Sequence, residues 1–206
     1  MINRITAATA VFAASLFVAD GALAANLIQN GSFEKPVVPG GGFNTFPTGS
    51  KFSGWTVAGV SGNVALVSGT FTTGGITFVA KKGSQWLNLA GTSNSRTWVV
   101  QKVPTTLNQN YKLTFSVGNV VNPGSGLGTT STVAVAYNNK LLIRVTNKNG
   151  AGSAVQVWKQ FSVTFTATST HTRFLFINED PANDSANGLD AVSLIPEAFT
   201  KQSCAL

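Results

Sequence analysis

Lys112-Leu113-Thr114-Phe115-Ser116-Val117 sets an apolar side chain at every second position, and Phe161-Ser162-Val163-Thr164-Phe165-Thr166 repeats the pattern further along the chain. A period of two belongs to a strand with one face in a core and the other turned away from it. Leu141 to Thr146 reads the same way, with Leu141, Ile143 and Val145 assigned to the inner face. Between such runs lie Val38-Pro39-Gly40-Gly41-Gly42, Gly91-Thr92-Ser93-Asn94, Asn122-Pro123-Gly124-Ser125-Gly126 and Asn147-Lys148-Asn149-Gly150. Their glycines and asparagines supply the positive φ angles and side-chain-to-backbone bonds of tight turns. No helical period longer than a turn or two is written anywhere. The pattern predicts an all-β chain folded as a two-sheet antiparallel sandwich of the jelly-roll kind.

The composition agrees with one ordered domain. The 206 residues are 43% hydrophobic and 10% charged, with 14 Phe and 21 Gly, enough apolar surface for a core of ordinary size. Cys204 is the sole cysteine, which excludes an internal disulfide framework and a cysteine-rich metal site. Arg4 is followed by an apolar stretch from Ile5 to Val18 and then by Ala22-Leu23-Ala24. That is the layout of a secretory signal peptide over residues 1–24, and its apolar part is shorter than the roughly 20 residues a membrane span needs. The sandwich domain is expected over residues 25–195, followed by a frayed tail over 196–206. The expectation is therefore a secreted protein without stable membrane insertion, with the periplasm or the cell surface as alternative destinations. Fourteen basic against seven acidic residues leave a net charge of +7. Only Lys81-Lys82 forms a basic pair, so no stripe exists to track phosphates and nucleic acid is not an expected partner.

The chain opens after its leader with Asn26-Leu27-Ile28-Gln29-Asn30-Gly31-Ser32-Phe33-Glu34 and closes with Gly188-Leu189-Asp190-Ala191-Val192-Ser193-Leu194. Both ends resemble the galactose-binding-like jelly rolls. More closely, the sequence resembles exported bacterial proteins of the choice-of-anchor C type and a related plant cell-wall domain family of unknown function. It is more distantly similar to carbohydrate-binding modules of families four and nine. The resemblance extends through Gly54-Trp55-Thr56-Val57, Gly83 to Leu89, Val99 to Val103, and Trp158 with Phe161 to Ala167. It implies a structural calcium ion held by Glu34 and Asp190, with the carbonyl of Ser32 as a further ligand. The bland alternative is that Glu34 and Asp190 cap a turn or accept backbone N–H bonds.

Sugars present apolar faces to aromatic rings and hydroxyls to amides and carboxylates. Trp55 and Trp158 read as packing residues. In Gln85-Trp86-Leu87-Asn88-Leu89 the inner set is Gln85, Leu87 and Leu89, which turns Trp86 and Asn88 to the other face. In Trp98 to Val103 the same parity turns Trp98, Val100 and Lys102 outward. A short turn joins the two runs, so they are expected as antiparallel neighbours, placing Trp86, Asn88, Trp98 and Lys102 on one ligand-binding platform. A loop such as Thr70 to Lys82 could instead cover that face and make both tryptophans packing residues. Tyr137, Asn138 and Asn139 form a weaker candidate at a turn.

Catalysis has little support in the residues. Glu179-Asp180-Pro181-Ala182-Asn183-Asp184 reads as a solvated loop, and His171, the only histidine, has no motif around it. The sequence therefore points to a non-catalytic carbohydrate-binding module for a cell-wall or extracellular-matrix polysaccharide. An adhesive matrix protein that binds other proteins or copies of itself is the rival reading. A glycan hydrolase using the Glu179 to Asp184 loop is a third.

Overall fold

The computed structural model describes residues 25–181 and 184–198. Residues 1–24, where a signal peptide is expected, and Cys204 lie outside the described residues. Among the described residues fourteen strands follow one another: β1 (Phe43–Pro47), β2 (Lys51–Phe52), β3 (Trp55–Gly59), β4 (Asn63–Ser68), β5 (Thr72–Thr73), β6 (Ile76–Thr77), β7 (Gln85–Asn88), β8 (Thr97–Pro104), β9 (Asn110–Asn119), β10 (Ser131–Tyr137), β11 (Lys140–Asn147), β12 (Val157–Thr166), β13 (His171–Asn178) and β14 (Gly188–Pro196). One sheet has the order β1-β4-β7-β14-β9-β12 and the other β11-β10-β13-β8-β3-β2. Every pairing within them is antiparallel. The result is an all-β jelly-roll sandwich, as the alternating pattern predicts.

The inner faces meet in one core. Leu113, Phe115 and Val117 of β9 are completely buried there, with Leu87 and Leu89, Val99, Phe174 and Phe176. Each such side chain contributes about 1.5–3 kcal/mol relative to exposure. β11 departs from the pattern. Its register against β10 shifts between Val135 and Ala136, pairing Val135 with Ile143 but Ala136 with Leu141. Leu142 is the extra residue of this bulge, so Leu141 turns outward at 58% exposure while Leu142 packs on the core. The inward assignment of Leu141 is thereby corrected, because one inserted residue reverses the facing of the strand beyond it.

A second, smaller apolar cluster lies on the outer face of the first sheet. Ala65 and Val67 of β4 and Trp86 of β7 pack there beneath Ile76, Phe78 and Leu127, with Trp158 of β12 alongside. The cover is a strap, Phe71 to Ala80, carrying the hairpin β5-β6. Trp86 Nε1 donates to Phe78 O at 3.1 Å and Trp158 Nε1 to Val79 O at 2.8 Å, while Thr77 N donates to Ala154 O at 2.9 Å. The chain remains held beyond Ile195. Pro196 pairs with Tyr111, and Glu197 N donates to Asn110 O at 2.9 Å, so the frayed tail cannot begin at Pro196.

Candidate functional site

The parity assigned to β7 and β8 is observed. Gln85, Leu87 and Leu89 face inward, as do Val99, Gln101 and Val103, while Lys102 is exposed and Trp98 half-buried on the outer side. Their adjacency is not observed. β7 lies between β4 and β14 in one sheet, and β8 between β13 and β3 in the other. The connection from Leu89 to Arg96 crosses the sandwich, pinned where Thr97 Oγ1 donates to Leu89 O at 2.6 Å. Trp86 and Asn88 therefore sit on one outer face, Trp98 and Lys102 on the opposite one, and the single four-residue platform is corrected to two separate places.

The first of these places is a cavity of about 240 Å³ between the strap and the sheet. Phe43, Phe71, Phe78 and Trp86 form its aromatic wall, and Thr73, Asn88, Thr92 and Ser185 supply polar groups. Phe78 stacks on Trp86 with centroids 5.9 Å apart and planes at 10°, and Phe43 meets Phe71 edge-on at 5.5 Å. Trp86 itself is 1% exposed, so it backs the cavity rather than offering an open face, as the covering-loop alternative has it. Phe43, 44% exposed, stands at the mouth. Asn88 shapes the rim. Its Nδ2 donates to Gly91 O and Ser185 O, and its Oδ1 accepts from Ala90 N and Asn187 N. Phe43, Phe71 and Phe78 were not singled out from sequence. The available signal was Phe71-Thr72-Thr73-Gly74-Gly75-Ile76-Thr77-Phe78, a Gly-Gly hairpin between aromatic ends, with both glycines at positive φ.

The second place is shallower. Trp98 lines it with Val60, Arg96, Leu175 and Ile177, and its buried Nε1 has no partner. The turn candidate has other duties. Tyr137 packs its ring 5.3 Å from that of Phe165, while Asn138 Oδ1 accepts from Arg173 N and Asn139 Oδ1 from Arg173 Nη1.

Glu34 and Asp190 do come to the same loop. Glu34 accepts from Ser84 N and Gln85 N; Asp190 Oδ2 accepts from Lys81 N and Lys82 N at 2.8 and 2.9 Å, and Oδ1 from Ala191 N. Burial, with Glu34 nearby, pushes the Asp190 carboxyl up to about 7 against these stabilising N–H bonds. Five amide hydrogens point at the two carboxylates, the reverse of the oxygen shell that calcium requires. No group of three or more His, Cys, Asp or Glu converges on a point among the described residues. The pair as built anchors the segment 81–85 to the chain ends, and the residues present do not fit Ca²⁺ at these oxygens. Ser32, whose carbonyl is the further ligand the resemblance implies, lies beside Lys82 and Ala191 in the same region.

Glu179, Asp180 and Asp184 are less solvated than the composition of their stretch predicts. Glu179 pairs with Arg144 and Arg96, and chiefly the Arg144 hydrogen bond holds its carboxyl below the usual range. Asp184 is only 1% exposed. Asp180 Oδ2 and Asp184 Oδ2 are both shut off from solvent, so neither oxygen can reach a glycosidic bond.

Fold and cavity together describe a two-sheet antiparallel jelly-roll sandwich with an aromatic-lined cavity on one outer face. Residues 26–194 match the family described as "Protein of unknown function (DUF642)", and the chain belongs to that family. No curated protein matches it in sequence. Among solved structures, TmCBM61 in complex with β-1,4-galactotriose is 17% identical with a TM-score of 0.47, covering 84% of this chain and 99% of that one. A family 35 carbohydrate binding module from Clostridium thermocellum is 12% identical with a TM-score of 0.44, covering 74% and 96%. The exo-β-1,3-galactanase of Phanerochaete chrysosporium is 15% identical with a TM-score of 0.41, covering 76% of this chain but only 29% of that enzyme. What those proteins bind or cleave is theirs, and at these identities none of it passes to this chain.

Proposed function

We propose that the chain is an exported, non-catalytic carbohydrate-binding module for a cell-wall or extracellular-matrix polysaccharide, and that the cavity beneath the β5-β6 strap is its binding site. The observation that carries this reading is the conjunction, in one concavity, of aromatic rings with amide and hydroxyl groups. Sugar C–H faces pack on Phe43 and Phe71, and sugar hydroxyls meet Thr73, Thr92 and Ser185. At about 240 Å³ the space is below the roughly 300 Å³ at which drug-sized pockets begin, so it takes one ring or one chain end rather than a long segment. The seclusion of the Asp180 and Asp184 oxygens supports the non-catalytic part.

The test is retention of the protein in gels containing neutral and acidic polysaccharides at high salt. Salt-resistant retardation by a defined glycan, lost in Phe43→Ala, supports the site. Retardation confined to acidic polymers and abolished by salt reduces the interaction to net charge. The adhesive rival has its own support in β12, a ten-residue strand at the edge of its sheet among the described residues, where a further strand could pair. Concentration-dependent assembly without sugar favours that reading.

A further inference from the structure

The outer face of the second sheet carries two rows of side chains in register across its strands. One row runs Arg144, Ala134, Ile177, Trp98, Ala58, and the next Leu141, Ala136, Leu175, Val100, Thr56, Lys51. Their neighbours along the strands, among them Val57, Val99, Val133, Val135, Phe174 and Phe176, lie in the core, so parity turns both rows outward. Trp98, Val100 and Ile177 stay half-buried, and Leu141 is exposed. On the first sheet the strap buries Trp86; here Trp98 instead walls a depression of about 390 Å³ with Val60, Arg96 and Ile177.

Cations border this apolar centre. Arg96 and Arg144 stand at one end, Lys102 and Arg173 side by side at the other, and Lys51 on the edge strand β2, and all five are exposed. The carboxylates against them are Glu179, which pairs with both Arg96 and Arg144, and Asp180, which accepts from Thr132 N. The face is therefore positive even with both carboxyls ionised. Arg96 keeps 72% of its side-chain surface exposed despite its ion pair, and Lys51 and Lys102 form no ion pair among the described residues.

A face of one charge repels a second copy of itself, and the apolar centre offers the phosphates of a nucleic acid no partner. Linked sugar acids fit both parts. Their C–H faces pack on the indole and the aliphatic rows, and their carboxylates reach the flanking cations, Arg96 in a two-pronged pairing. Lys102 stands four residues along β8 from Trp98, about 13 Å at a strand's rise, while Arg96 lines the depression beside the indole. That span is too long for one sugar and suits several in a chain. We infer that the outer face of the second sheet binds an anionic polysaccharide of the polyuronate type, with rings on Trp98 and carboxylates on Arg96 and Lys102. This site does not depend on the strap cavity, which lies on the other side of the sandwich.

The test is affinity electrophoresis of the full chain in polygalacturonate at low salt, with two double variants that remove the same charge. Arg96→Gln with Lys102→Gln is expected to bind about tenfold more weakly than wild type. Lys112→Gln with Lys159→Gln, exposed positions on the first sheet, is expected to stay within about twofold of wild type. Trp98→Ala is expected to lose about fivefold, and Phe43→Ala to bind like wild type. An oligodeoxynucleotide of equal charge is expected to bind wild type more weakly than polygalacturonate does. The unfolding midpoint of each variant shows that it is folded, and should Trp98→Ala fail to fold, the two doubles and the oligodeoxynucleotide decide. The inference is overturned if wild type does not bind polygalacturonate, or if the two doubles weaken equally, which leaves net charge alone. It is also overturned if folded Trp98→Ala binds undiminished, if the oligodeoxynucleotide binds as tightly, or if the loss is confined to Phe43→Ala.

Discussion

Gly128 presses against Asp184: a β-carbon added to the glycine would fall 2.6 Å from Asp184 Cβ, and closer still to its Oδ2. The glycine also stands at φ +62°, where an L side chain is strained. Leu127 forms an isolated bridge to Asp184, and Gly126 O accepts from both Ser185 N and Ser185 Oγ. The two loops are thus joined across a space that only a residue without a side chain leaves open. Gly128→Ala is expected to cost at least about 2 kcal/mol, as clash and backbone strain together. Urea unfolding checks this, and an unchanged midpoint would contradict it.

Asp180, Asp184 and Asp190 are all raised from 3.8, to about 8, 7 and 7. An acid with a folded pKa above its unfolded value holds an extra proton in the folded state between the two, so stability falls as pH rises through that window. In chelator, the unfolding midpoint is expected to drop steadily from pH 5 to pH 8. Glu179 is lowered instead and is ionised across this range, so it adds no slope. A midpoint that is flat or rises over the same interval would contradict the placement of these carboxyls.

Trp86 and Trp98 are expected to behave differently on truncation. Trp86 is 1% exposed within the second cluster, so Trp86→Ala should cost about 3–5 kcal/mol and loosen the strap. Trp98 is half-buried on the opposite sheet, and Trp98→Ala should cost well under half as much. Denaturant midpoints for both variants check this, equal losses being the contrary result. For this reason Trp86→Ala is a poor probe of ligand binding, and Phe43→Ala a better one.

Glu34→Ala strips the acceptor from Ser84 N and Gln85 N. The expected loss is about 1–3 kcal/mol, the cost of leaving backbone donors unpaired. Amides rather than a metal hold this carboxylate, so the loss should be the same in Ca²⁺ and in chelator. A loss seen only with Ca²⁺ present would place a cation at Glu34.

The strand pattern made the fold legible, because alternation in β9 and β12 reflects burial of one face directly. Facing within β7 and β8 was legible for the same reason. Their partners were not, since a short turn serves a hairpin and a crossing between sheets equally well. Thr97, which ties the crossing to Leu89, carries no distinguishing mark in the chain. Leu141 was misplaced because a bulge has no signature beyond one extra residue. The Glu179 to Asp184 loop looked solvated on composition, while the burial of Asp184 depends on the distant Gly128. The aromatic wall was half visible in Phe71 and Phe78 at the ends of a Gly-Gly hairpin.

The central claim is tested most directly by calorimetric titration of a glycan selected by gel retention, at high salt, into wild type and Phe43→Ala. Phe43 is 44% exposed at the mouth of the cavity, so its truncation should leave the unfolding midpoint nearly unchanged. The account predicts saturable binding to wild type at one site and at least tenfold weaker binding to the variant. Equal affinity in the two proteins, or no saturable binding of any glycan, would contradict it.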